Sequence, residues 1–181
     1  MQTKISDTER LYLRRLKEDD YEALCLMLKD EAVMYAYEHA FSDEEVHEWL
    51  ERQLKRYKEY GFGLWAVILK ESEELIGQCG ITMQDCPADY VREAEKRIPE
   101  IGYLFRKEYW HKGYATEAAT ACREYGFNVL GFSELYSIIR DNNTASIKVA
   151  ERNGMERRGG FVKHYYGIDM PHIVFSVKRK K

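Results

Sequence analysis

The stretch from Glu100 to Ala118, EIGYLFRKEYWHKGYATEA, constrains the fold more than any other part of the chain. A strand-like run, Glu100–Arg106, gives way to a short turn, and a helix begins at the Gly-x-Ala step Gly113-Tyr114-Ala115. That helix is predicted over 114–130, where Ala115, Ala118, Cys122, Tyr125 and Val129 recur at helical spacing. Its small residues permit close packing on a sheet. A helix start exposes N–H groups without intrahelical partners, at the positive end of the helix dipole. Gly113 lets a ligand approach the backbone with no Cβ in the way, and Lys112 adds a positive charge. These are the parts of a diphosphate cradle. They are equally the parts of an ordinary strand-turn-helix with a glycine in its turn.

The flanking sequence supplies the rest of a sheet and its covering helices. Leu11–Leu16 alternates imperfectly and reads as a first strand. Asp19 and Asp20 cap a helix over 20–29, with Tyr21, Leu24, Cys25 and Leu28 on one face. Ser42-Asp43-Glu44-Glu45 fits a capping box and opens a second helix to Tyr60, which Gly61 stops. Strands follow at Gly63–Leu69, Leu75–Met83 and Glu100–Arg106, the first two joined by the polar turn 70–74. Asp85–Pro99 is charged and irregular, with a helical turn expected at 90–97. Glu134–Arg140 is another strand, Asn142 or Asn143 caps a helix ending near Gly154, and Phe161–Tyr166 and Ile173–Lys178 are the last two strands. This mixture predicts an α/β or α+β sheet covered by helices. A chain of 181 residues fits a single domain spanning 1–181.

Charge and residue usage narrow the function. There are 28 basic and 31 acidic residues, a net charge of −3. Four of the positive charges are the terminal Lys178, Arg179, Lys180 and Lys181, so the body is more acidic still. That argues against broad binding to nucleic acid or to anionic membranes. Cys25, Cys79, Cys86 and Cys122 form no Cys-x-x-Cys pair and the histidines are scattered, so no metal is expected. No apolar run can span a bilayer and residues 1–10 lack a signal-peptide core. A cytoplasmic protein with reduced thiols is expected. Gly61-Phe-Gly-Leu-Trp-Ala66 matches a dinucleotide fingerprint by letters only, since it precedes a strand instead of joining strand to helix.

Trp110-His-Lys-Gly-Tyr-Ala-Thr-Glu-Ala118 resembles the Gln/Arg-x-x-Gly-x-Gly/Ala diphosphate-binding motif of the GCN5-related N-acetyltransferases. With Tyr109 it is similar in particular to the RimJ/RimL-like branch, which acetylates ribosomal protein N-termini. The run from Asn143 through Ser146 to Gly154-Met155 resembles a second block of that branch, and Thr8-Glu-Arg-Leu-Tyr-Leu-Arg-Arg-Leu16 resembles its first strand. The likeness covers most of the chain in family order. Two departures stand out: Trp110 replaces the Gln or Arg of the wider family, and His111 replaces a common glycine.

The resemblance implies a mixed, mostly antiparallel sheet of seven strands with a central split and helices on both faces. It implies acetyl-CoA as cosubstrate in that split, and no metal. The diphosphate would meet the N–H groups of His111, Lys112, Gly113, Tyr114, Ala115 and Thr116. The pantetheine arm would run beside Leu104 and Phe105 like an added strand, with Asn143 hydrogen-bonded to it and the Phe105 N–H as oxyanion donor. The implied reaction is direct attack of a primary amine on the thioester in a ternary complex. A protein N-terminal α-amine is the favoured acceptor, from a ribosomal or other protein. A polyamine or an antibiotic or toxin amine is the alternative, and a catalytically silent CoA-binding module is the alternative of another class. Glu100 is the expected base, directly or through a water. Many members carry a tyrosine seven residues after the Asn, where this chain has Ala150; Ser146 is the expected substitute that protonates the departing thiolate. The acceptor site would draw on Tyr35, Tyr37, Glu38, His39, Trp49, Tyr90, Tyr165 and Tyr166, and the chain would be a monomer or homodimer.

Overall fold

Long apolar runs force strands inward, and the sheet is built around them. In the computed structural model, which describes residues 4–37, 39–87, 97–165 and 167–180, eight strands form one open sheet. They are β1 (Lys4–Asp7), β2 (Leu11–Arg15), β3 (Leu64–Leu69), β4 (Glu74–Asp85), β5 (Arg97–Phe105), β6 (Glu134–Arg140), β7 (Glu156–Tyr165) and β8 (Ile168–Lys178). The helices are α1 (Tyr21–Leu28), α2 (Glu31–Met34), α3 (Asp43–Tyr60), α4 (Tyr114–Asn128) and α5 (Thr144–Arg152). Strand order is β1-β2-β3-β4-β5-β6-β8-β7. All neighbouring pairs are antiparallel except β5–β6, which is parallel.

Every residue of β3 is buried, because the sheet is covered on both faces there. On one face Cys122 of α4 meets Cys79 of β4 with sulfurs 3.4 Å apart, and Tyr125 packs edge-on to Trp65 at 5.1 Å. On the other, the Trp49 indole of α3 donates to Gln78 Oε1 at 3.1 Å, one residue before Cys79, as the two-residue period of a strand requires. The α3 capping box is in place: Ser42 Oγ accepts from the Glu45 N–H, and Glu45 Oε2 accepts from the Ser42 N–H. Gly61 ends the helix at φ +80°. Tyr57 ties three elements together, its hydroxyl accepting from the Leu16 N–H and donating to the Leu64 carbonyl.

Eight strands are found where the resemblance implies seven, β5 and β8 start three and five residues earlier than expected, and further features depart from expectation. The short, polar β1 is held by pairing with β2 and carries almost no apolar signal. The single-turn α2 is capped by Asp30, whose carboxylate accepts from the Ala32 N–H. β7 starts at Glu156, five residues before the predicted strand, because a bulge between Arg157 and Gly159 carries the pairing through Gly159-Gly160. Residues 90–96 of the expected helical turn lie outside the described residues; Arg97 already belongs to β5. Among the described residues no helix is long and apolar enough to cross a membrane.

β5 and β6 share one paired position, Glu100 with Tyr136. Beyond it side chains bridge the gap: the Ser137 hydroxyl donates to the Ile101 carbonyl at 2.8 Å, and the Ile138 N–H donates to Glu100 Oε1 at 3.0 Å. This seam splits the sheet, and the N-termini of α4 and α5 follow the C-terminal ends of the two strands that flank it.

Candidate active site

The register of β5 decides which of its main-chain groups face the seam. The Arg106 N–H donates to the Ile76 carbonyl at 3.0 Å, and Gly77 pairs with Phe105, Gln78 with Leu104 and Cys79 with Tyr103. Antiparallel pairing alternates, so Leu104 turns its N–H and carbonyl to Gln78, while Tyr103 and Phe105 turn theirs away from β4 into the seam. Tyr103 and Phe105, and not Leu104, therefore present main-chain groups to the seam. The same alternation explains Pro99 inside β5, since its missing N–H falls on the side away from β4. The Phe105 carbonyl accepts from the Trp110 indole at 2.9 Å, which folds the following turn back on the strand end.

That turn enters α4 through two left-handed residues, His111 at φ +60° and Gly113 at φ +83°, on either side of Lys112. Histidine tolerates this region better than most side chains, though at a cost. Among the described residues nothing accepts a hydrogen bond from the N–H groups of His111, Lys112 or Gly113. Those of Tyr114, Ala115 and Thr116 form the first helical turn, which has no intrahelical acceptors. Six successive N–H groups are thus open, a donor set suited to a diphosphate. A Cβ on Gly113 would lie 3.4 Å from Arg10 Nη2, so glycine serves the positive φ here.

Glu117, one turn into α4, faces the β1–β2 turn. Its Oε1 accepts from the Thr8 hydroxyl at 2.6 Å and the Arg10 N–H at 2.9 Å, and its Oε2 from Arg10 Nε at 2.8 Å. Burial alone would raise this carboxyl, but these hydrogen bonds outweigh it and hold it below its ordinary value.

At the head of α5, Asn143 is itself the cap, its Oδ1 accepting from the Ser146 N–H at 3.1 Å. Among the described residues nothing accepts from its side-chain amide. Ser146 lies half-buried in the first turn, and its carbonyl accepts from the Tyr103 hydroxyl at 2.8 Å. Burial pushes the Tyr103 phenol well above its ordinary value, so it stays a donor. Ala150 is buried in the core. Tyr103 is absent from the sequence reading: strand parity tells which face it occupies, but nothing in the sequence says that α5 lies opposite.

Burial pushes the Glu100 carboxyl above its ordinary value, against the Ile138 N–H and the positive charges of Lys163 on β7 and Arg56 on α3. Arg56 Nη1 donates to Gln53 Oε1 at 3.1 Å. Of the aromatic residues expected around an acceptor, Tyr37 packs edge-on to Trp49 at 6.0 Å, and Tyr35 and Tyr37 are exposed. His39 is paired with Glu45 at 2.9 Å. Glu38, Tyr90, Tyr166 and the side chain of Tyr165 lie outside the described residues. Cys79 and Cys122 are buried core residues. Among the described residues, no group of three or more His, Cys, Asp and Glu could hold a metal ion.

The sequence profile of the acetyltransferase (GNAT) domain matches residues 10–156. The uncharacterized protein YkkB of Bacillus subtilis is 37% identical over 149 residues, covering 82% of this chain and 83% of that protein. A GNAT-family acetyltransferase from Bacillus anthracis superposes with a TM-score of 0.78 at 27% identity, covering 96% of this chain and 97% of the other. RimL, a ribosomal L7/L12 α-N-protein acetyltransferase solved with coenzyme A, shares the fold at a TM-score of 0.78 and 18% identity, covering 97% of this chain and 98% of RimL.

Proposed function

The chain belongs to the GNAT acetyltransferase family, and on that premise we propose that it transfers the acetyl group of acetyl-CoA to an N-terminal α-amine of a protein or peptide. The observation that carries this reading is the β5–β6 seam. Glu100 sits where the two strands last pair, and the Phe105 N–H and the open N–H groups of residues 111–116 follow at its far end.

Acetyl-CoA supplies the acetyl group as a thioester. The N–H groups of 111–116 hold its diphosphate, and Tyr103 and Phe105 offer main-chain groups to the pantetheine amides. A neutral amine attacks the thioester carbonyl; the N–C bond forms and the C–S bond breaks. Glu100 takes the amine proton, directly or through a water, and its raised pKa makes it the stronger base. The Phe105 N–H donates to the oxyanion. The Ser146 hydroxyl donates a proton to the sulfur and regains one from solvent.

Acceptor chemistry supports an α-amine. An α-amine with pKa near 7.8 is roughly 15% neutral at pH 7, against roughly 0.04% for a lysine near 10.4. The difference is worth about 3.5 kcal/mol, so the α-amine needs far less help from a carboxylate. The positive charges of Arg56 and Lys163 toward Glu100 disfavour a polycation in the same place. RimL, with the same fold, is named for α-N-acetylation of a ribosomal protein.

The test is release of CoA thiol from acetyl-CoA with a panel of amines. A peptide with a free N-terminus is expected to turn over at neutral pH well ahead of a polyamine and of an α-blocked lysine. Turnover confined to the polyamine would replace the acceptor, and CoA binding without turnover of any amine would make the chain a binding module.

A further inference from the structure

The guanidinium of Arg10 is divided between two partners on the cofactor side of the molecule. Nε donates to Glu117 Oε2 at 2.8 Å and Nη2 approaches the same oxygen at 2.7 Å, while Nη1 donates to the Lys112 carbonyl at 2.9 Å. Its plane also lies over the Tyr114 ring, 4.5 Å from the centroid. Glu117 is anchored in turn by the Thr8 hydroxyl and the Arg10 N–H; its side chain is 16% exposed and that of Arg10 42%, so the pair is half-open to solvent and its hold rests on geometry more than on charge. The β1–β2 turn therefore grips the peptide between the two left-handed residues His111 and Gly113.

The direction of that grip matters. In a trans peptide the carbonyl of one residue and the N–H of the next point in opposite directions. A Lys112 carbonyl held toward Arg10 aims the Gly113 N–H away from it, to the open side. Without that hold the peptide has little to prevent its rotation, because it turns about ψ of Lys112 and φ of Gly113, and a glycine follows such a turn at little steric cost. Trp110 cannot take over, since its indole is committed to the Phe105 carbonyl.

We propose that Arg10 is a positioning residue for the acetyl-CoA diphosphate, orienting the 112–113 peptide so that the Gly113 N–H faces the cofactor; this rests on the acetyl-CoA reading given above. Two planar contacts at once are required, so charge alone does not suffice.

The test uses the full-length protein, CoA by calorimetry, and the Gly113 amide resonance in ¹⁵N-labelled protein. Wild type is expected to bind CoA with a downfield shift of that amide. Arg10→Ala is expected to bind CoA at least about tenfold more weakly, the scale of one charge-assisted hydrogen bond, with the Gly113 response reduced. Arg10→Lys keeps the charge and is expected to recover little of either. Glu117→Gln, which leaves Arg10 in place but loosens it, is expected to fall between and covers the case in which Arg10→Ala does not fold. A folded Arg10→Ala protein with wild-type CoA affinity and Gly113 response overturns the proposal, as does full recovery by Arg10→Lys. Absence of CoA binding by the wild type would instead remove the acetyl-CoA reading itself.

Discussion

Glu100 and Ser146 are both proposed as reacting groups, and the structure shows how each is tied into the fold. Folding raises the Glu100 carboxyl, chiefly by burial, so the folded chain favours its protonated form. Its contribution to stability is fully present below the unfolded pKa of about 4.3 and is lost as pH rises through the folded value. Glu100→Gln escapes that loss. The variant is expected to melt above wild type at pH 7.5 and level with it near pH 4, while acetyl transfer at neutral pH falls; thermal melts across pH check the first part and rates the second. Among the described residues Ser146 is tied into the fold through its main chain, by its N–H to Asn143 and its carbonyl to Tyr103. Ser146→Ala keeps both bonds. It is expected to lower kcat by up to about 10²-fold with KM for acetyl-CoA unchanged, as a group acting in the transition state does. A raised KM at full kcat would make the hydroxyl a cofactor contact.

At the scale of elements, legibility followed local chemistry. The α3 capping box, its stop at Gly61, the all-buried β3 and the glycine turn into α4 are each written in consecutive residues, and each is found where the sequence puts it. β1 and the start of β7 were not readable, because pairing with β2 and a two-glycine bulge hold them, and neither leaves an apolar period. The candidate site divides in the same way. Asn143, Ser146 and the 111–116 run lie in two motifs, whereas Tyr103, Arg56, Lys163 and Arg10 are brought near them by register and topology. Gly80 in β4 shows how strict such distant constraints are: a Cβ there would stand 2.1 Å from the Gly63 carbonyl, a main-chain atom that cannot swing aside. Gly80→Ala is expected to destabilise the chain by about 2–3 kcal/mol, the cost of forced overpacking. For a domain of this size that lowers Tm by roughly 5–10 °C, readable in a thermal melt.

Across the whole molecule, the seam divides an antiparallel block, β1 to β5, from a second block, β6 with β8 and β7, and one backbone pair joins them. On the proposed reading, a cosubstrate bound between the blocks would hold them together as well as react. CoA at a hundred times its Kd is expected to add about 2.7 kcal/mol to the stability, a rise in Tm of roughly 5–10 °C. Amide exchange is expected to slow most at Tyr103 and Phe105, whose N–H groups face the seam, and little at Leu104, which is already paired with Gln78. Equal slowing along all of β5 would count against a ligand in the seam. Strand edges are normally a hazard at the rim of a sheet, where proteins shorten or charge them to keep other chains from adding on. Here two edges open in the middle of the sheet, and on the reading proposed above the groups that would pair with a slender amide-bearing ligand cannot be blunted without losing it. If acetyl-CoA pairs with the seam as proposed, resistance to aggregation is tied to supply: a chain starved of its acetyl donor would keep two strand edges uncovered, and one well supplied would have them capped.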